Sequence, residues 1–160
     1  MLNYFKQKKF FKLFSFLPMI FFMCIIFSFS AQTGDESGSL SHTISTQVIQ
    51  TSAFIFQQDW SNEEIETYAD FLEYPLRKLA HMTEFFFFSL TVIFPLFVYG
   101  LRGKKLILST LLVCIVFAGS DEYHQSFVAD RGPSMKDVFI DSIGACLGTV
   151  FGYLFTKRGA

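Results

Sequence analysis

The chain has 160 residues, of which 51% are apolar and 23 are Phe, while Asp, Glu, Lys and Arg supply only 17%, below the ~25% usual for soluble domains. A soluble domain of this length has too little interior to hide so much aromatic surface, whereas a bilayer accepts it. A net charge of −1 gives no bulk attraction to nucleic acid, and Cys24, Cys114 and Cys146, each within an apolar run and without zinc-ligand spacing, read as small buried hydrophobes.

Residues 1–12 form a basic start carrying Lys6, Lys8, Lys9 and Lys12. The charge-free run from Leu13 to Gly34, 22 residues long, is enough for a span, expected over 13–31. The basic start and Ser28-Phe29-Ser30 would also suit a cleaved signal peptide. The run is long for a signal, however, and the charge balance described below needs it as a span.

An outside segment is expected over 32–76. Gln32 to Ser39 reads as a turn-rich loop. Ile44, Val48, Ser52 and Ile55 suit an amphipathic helix lying on the membrane or on the bundle. Ser61-Asn62-Glu63-Glu64 has the pattern of a capping box that opens a helix with Ile65, Ala69 and Leu72 on one face, and Pro75 is expected to break or restart it. The segment carries eight acids, Asp35, Glu36, Asp59, Glu63, Glu64, Glu66, Asp70 and Glu73. They fit a solvated cover over the bundle or a lid over a site.

Three further apolar runs follow: Phe85–Leu101, Leu106–Ser120 and Ser142–Thr156, of 17, 15 and 15 residues. Fifteen residues reach about 22 Å against a hydrocarbon core of about 30 Å. The helices must therefore continue into their polar flanks, giving spans near 77–99, 106–125 and 136–156. That draws His81, Glu84, Asp121, Glu122, Gln125, Asp137 and Asp141 to the membrane boundary, where ionisable groups face a bundle interior or a wet cavity. Lys and Arg fall before the first span, between the second and third (Arg102, Lys104, Lys105) and after the fourth (Lys157, Arg158). Four spans with both termini cytoplasmic put all of them inside and the polar cluster outside. The expected fold is thus an all-α membrane protein, a four-transmembrane-helix bundle with an extracytoplasmic helical segment between the first and second spans, in the plasma membrane.

Three polar groups stand at that outer end. Arg77, His81 and Glu84 share one helix face. Asp121 and Gln125 share another, with Glu122 beside them, and acids at a helix C-terminus oppose its dipole unless cations are near. Arg131 precedes Ser134, a candidate N-cap that would put Asp137 in the first turn, while Asp141 lies a turn deeper with no capping role. Gly144, Gly148 and Gly152 continue down that helix as a small-residue ladder that admits a close neighbour. The ladder would turn the acids toward the bundle centre, or, if exposed, could pair two copies.

At these residues the chain resembles the VanZ-like family, named for a glycopeptide-antibiotic resistance protein. The resemblance rests on Arg77-Lys78-x-x-His81-x-x-Glu84, on Asp121-Glu122-x-x-Gln125, and on Phe127-Val128-x-x-Arg131 followed by Asp137-x-x-x-Asp141-x-x-Gly144. Phe29-Ser30-x-Gln32-x-Gly34-x-Glu36-Ser37 resembles the start of small members. Phe85 stands where Tyr is frequent, and Asp141 where some members carry Asn. The resemblance implies a four-helix membrane protein and, through its resistance member, an effect on teicoplanin susceptibility. It implies no settled reaction.

The chemistry of the cluster then offers two readings. In the first, Arg77, Lys78 and Arg131, with Gln125, Asp137 and Asp141, hold an anionic phosphate-bearing envelope lipid or cell-wall precursor. His81, Glu84, Asp121 and Glu122 would supply acid–base chemistry, or the acids would hold a divalent cation bridging to phosphate. In the second, the same groups form a non-enzymatic network that fixes helix register. A transporter is disfavoured, because the other halves of the spans are apolar and leave no polar path.

Overall fold

The computed structural model describes residues 12–158; Lys6, Lys8 and Lys9 of the basic start lie outside the described residues. The described residues include, in order, the helices α1 Leu17–Ser30, α2 Gly34–Ile55, α3 Asn62–Val98, α4 Gly103–Gln125 and α5 Met135–Arg158. No strand occurs among the described residues. Four segments are long and apolar enough to cross a membrane, Lys12–Ser30, Asn62–Val98, Gly103–Gln125 and Met135–Lys157. At 23 and 24 residues, α4 and α5 exceed the 15-residue apolar runs because they do continue into their polar flanks, reaching about 35 Å.

Local sequence explains most helix starts. Pro18 sits in the first turn of α1, where no amide is missed. Thr33 with Glu36 and Ser61 with Glu64 form reciprocal capping boxes, so two otherwise unpaired amides are satisfied at each start. The Thr33 box overturns the expected loop over Gln32–Ser39: α2 begins at Gly34. Nor does Pro75 break the chain. α3 runs through it for 37 residues, about 55 Å, because Pro75, with Phe71 and Tyr74 beside it, lies on the exposed side. Water can there take the carbonyl that proline leaves unbonded.

α3 is therefore longer than any bilayer core requires, and its first third pairs with α2 as a helical hairpin. The hairpin closes through small groups: Ser41, Ser45 and Ala53 of α2 and Ala69 of α3 are buried. His42 Nε2 reaches Glu66 at 3.3 Å and Asp70 at 3.2 Å. Of the two placements expected for Ile44, Val48 and Ile55, burial against the bundle does not occur: all three are exposed.

The bundle core holds Ile26 of α1, Phe85, Phe88 and Val92 of α3, Cys114, Phe117 and Ala118 of α4, and Ala145 of α5. Phe117 links α1 and α3 to α4 there, with ring centroids 5.0 Å from Phe27 and 4.7 Å from Phe88. The glycine ladder is spent within the chain. The α-carbon of Gly144 lies against the Met82 carbonyl and that of Gly148 against the Phe86 carbonyl and Ser89 Oγ, so a β-carbon at either would collide with α3. These glycines are not free to pair two copies. Of the cysteines only Cys114 is buried; Cys24 and Cys146 are exposed on the bundle perimeter, where lipid serves a small hydrophobe as well as a core does.

At one end of the bundle Phe16 packs on Tyr99 at 5.3 Å and Lys12 stands over the same ring. The α3–α4 turn with Arg102, Lys104 and Lys105 lies at this end. The other end gathers the close of α1, the hairpin, the close of α4 and the start of α5.

Candidate functional site

The polar residues singled out from sequence meet at that second end. Lys78 Nζ donates to Asp137 Oδ1 at 2.6 Å, tying α3 to the first turn of α5. Asp137 thus pairs with a cation rather than serving only as a capping acid. Arg77 bonds Glu73 one turn earlier and also donates to Ser41 Oγ of α2. His81 Nδ1 lies 3.9 Å from Glu84 Oε2. Arg77, His81 and Glu84 line one cavity from a single helix face, as their spacing predicts.

On the α4 side the contacts form a chain. Asp121 is 1% exposed. Its Oδ2 accepts from Ser30 Oγ at 2.7 Å and from Gln125 Nε2 at 2.8 Å. Gln125 Oε1 in turn accepts from Arg131 Nη1 at 3.0 Å. A buried carboxylate thereby fixes the amide orientation of Gln125, and Gln125 aims Arg131. Glu122 Oε1 accepts the Ser134 amide at 2.9 Å, which pins the loop carrying Arg131 to the end of α4. Asp141, 3% exposed, has its Oδ1 buried with no hydrogen-bond partner, as does Asp121 Oδ1. Asp121, Asp137, Glu122 and Glu84 are the charges within its reach.

Arg131 differs from the other two cations. Among the described residues no carboxylate lies within ion-pair distance of it. Burial, and next the nearby Arg77 guanidinium, pull its pKa below the ordinary arginine value, against Asp121, Glu122 and Asp137. Two guanidinium groups held near one another, one of them without an acid partner, favour an added anion.

Two cavities share Arg77, His81 and Arg131. One, about 160 Å³, is polar and also touches Lys78, Gln125, Asp130 and Asp137. The other, about 190 Å³, has a largely apolar wall. Among the described residues no three His, Cys, Asp or Glu side chains are grouped as a metal ion would need.

Sequence reasoning gave no site role to Ser30, Gln32 or Gly34. Ser30 bonds Asp121, and Gly34 donates its amide to the Ala129 carbonyl at 3.1 Å. A β-carbon on Gly34 would strike the Asp130 backbone. The signal lay in the motif Phe29 to Ser37, whose residues close over the Arg131 loop.

The Lys78–Asp137 pair is 18% and 24% exposed, intermediate between surface and interior. Lys78→Met or Asp137→Asn alone is expected to lower stability by about 1–2 kcal/mol, and the double variant by less than the sum. Thermal unfolding of the four proteins in detergent checks this. Additive losses would show that the contact carries no coupling.

The VanZ/LLP1 family matches residues 10–156. The chain is also 34% identical over 82 residues to an uncharacterized protein of the fission yeast Schizosaccharomyces pombe, covering 51% of this chain and 49% of that protein. It thus spans about half the length of that relative. No solved structure matches the chain significantly. With nearly its whole length matched, and with the quoted motifs meeting at one end of the bundle, the chain belongs to the VanZ/LLP1 family.

Proposed function

We propose that the polar end of the bundle is an anion site at the outer face of the cell membrane, which binds or processes a phosphate-bearing envelope lipid or cell-wall precursor. Through it the protein would affect susceptibility to teicoplanin-type glycopeptides. The observation that carries this reading is Arg131: a guanidinium aimed by Gln125, unpaired with any acid among the described residues, and opening with Arg77 on a polar cavity. Arg77 and Lys78 add positive charge around the same space, and His81 stands at its edge to give or take a proton. Depth supports the lipid assignment. From Ala80 to Val98, α3 has 19 residues, about 28 Å, close to a hydrocarbon core of about 30 Å. If Val98 marks one boundary, the cavities lie at headgroup level at the other.

A second reading has its own support. Lys78–Asp137 and Ser30–Asp121–Gln125–Arg131 join different helices, as a register-fixing network would. On that reading the cluster holds the bundle together and takes no ligand.

Two measurements test the proposal. Ethyl phosphate should bind the protein in nanodiscs with saturable heat by titration calorimetry; no saturable binding of any alkyl phosphate would leave the structural network as the better account. In a cysteine-free background, Asp130→Cys should react with an impermeant maleimide on intact cells and Gly103→Cys should not. The reverse pattern would put the site in the cytoplasm.

A further inference from the structure

The two cavities that meet at Arg77, His81 and Arg131 are unlike in chemistry. The polar one suits a phosphate. The other is walled by Phe29 at the end of α1, Leu40 and Ile44 of α2, and Leu76 and Ala80 of α3. Nothing in an anion site calls for this second wall. Phe29, Leu40 and Ile44 are each between 42% and 49% exposed, so the slot opens sideways between helices rather than inward to the core. At about 190 Å³ it is smaller than the ~300–1,000 Å³ of sites that enclose a whole small molecule. It has room for the part of a ligand nearest the headgroup and none for a complete lipid tail.

We infer that this slot takes the first several carbons of a hydrocarbon chain attached to the bound phosphate, so that the ligand is a membrane amphiphile entering laterally between α1 and the α2–α3 hairpin. The inference rests on the anion site proposed above and adds the class of ligand: a phosphate ester of a lipid alcohol or lipid headgroup rather than a free sugar phosphate or inorganic phosphate. It also explains the exposed apolar residues of α2. Leu40 and Ile44 face neither the bundle nor the hairpin seam, and a chain lying along them would remove them from water. A lateral entrance further explains why α1 touches the α3–α4 pair but makes no extensive contact with α2: the gap between α1 and α2 is the doorway.

The test is a series of water-soluble alkyl phosphates, ethyl, butyl and hexyl, with inorganic phosphate as the chainless probe, titrated against the full chain in nanodiscs. Each methylene that enters an apolar wall should tighten binding about 3-fold, on the order of 100-fold from ethyl to hexyl. Ala80→Phe, which fills the slot from α3, should pull the hexyl-to-ethyl ratio toward one. Ile44→Trp, at an exposed position on α2 where a large side chain does not disturb folding, should do the same. If hexyl phosphate binds no tighter than ethyl or inorganic phosphate, or if both variants keep the full ratio, the apolar slot is not a chain site and the inference falls while the anion site stands. If no member of the series binds, the anion site falls and the inference with it.

Discussion

Arg131→Gln is expected to weaken binding of ethyl phosphate by about 10- to 100-fold if the proposed anion site exists, the loss expected when charged hydrogen bonds to a ligand are removed, while the melting temperature should stay near that of the wild type. The reason is the position of Arg131 in its network. It donates to Gln125 Oε1, but the carboxylate at the base of the chain, Asp121, is already held by Ser30 and by Gln125. Removing the guanidinium leaves no carboxylate stripped of its hydrogen bonds. Arg131→Lys keeps the charge without the planar fork and should fall between the two. A register-fixing network makes the opposite forecast: Arg131→Gln would cost several degrees of melting temperature, because Asp121, Glu122 and Asp137 would lose a shared counter-charge, and phosphate binding would be absent in the wild type as well. Calorimetry and thermal unfolding on the same three proteins separate these outcomes. A variant that binds ethyl phosphate as tightly as the wild type would remove Arg131 from the site.

Gly148→Ala should destabilise the bundle by about 3 kcal/mol, the upper end of the usual overpacking range, and Gly148→Val should prevent accumulation of folded protein. The β-carbon of either would meet the Phe86 carbonyl and Ser89 Oγ. A backbone carbonyl cannot turn aside, so α5 would have to move away from α3, and with it Asp137, which reaches Lys78 only because the helices are in close contact. Gly152→Ala is the control. Its β-carbon would meet Ile93 Cγ2 at 3.0 Å and Leu90 Cδ2 at 3.1 Å, ends of side chains that can yield, so its cost should stay below about 1 kcal/mol. Denaturant titration of the wild type, Gly148→Ala and Gly152→Ala in mixed micelles measures the difference, and the yield of folded protein reports on Gly148→Val. Equal costs at positions 148 and 152 would mean that the helix contact is set by something other than the glycines.

The two variants bear on different links of the same argument. Gly148 acts on packing, which brings the α5 acids to α3. Arg131 acts on the chemistry that this packing permits. Loss of phosphate binding in Gly148→Ala would therefore report geometry, and only the Arg131 series reports the anion contact itself.

Much of the bundle could be read from the chain directly. Hydrocarbon thickness is a fixed ruler, so runs of 15 apolar residues had to extend into their flanks, and α4 and α5 do. Periodicity was equally reliable where one helix carried the pattern: Arg77, His81 and Glu84 share a face, Asp121 and Gln125 bond at i, i+4, and the face bearing Asp141, Gly144 and Gly148 turns inward. These are properties of one helix and one solvent, and both are written into the residue order. Gln32–Ser39 has a turn-forming composition, but the Thr33–Glu36 capping pair starts a helix within it. Pro75 is tolerated inside α3 because a proline's cost depends on whether the freed carbonyl faces water, which exposure decides. What only the tertiary structure settled is which groups meet. Asp137 pairs with Lys78 of α3, the glycine ladder packs on α3 rather than on a second copy, and Ser30 joins Asp121, 91 positions further along the chain. Such pairings arise from helices crossing at contact distance, and no local spacing encodes the distance between segments that are remote along the chain.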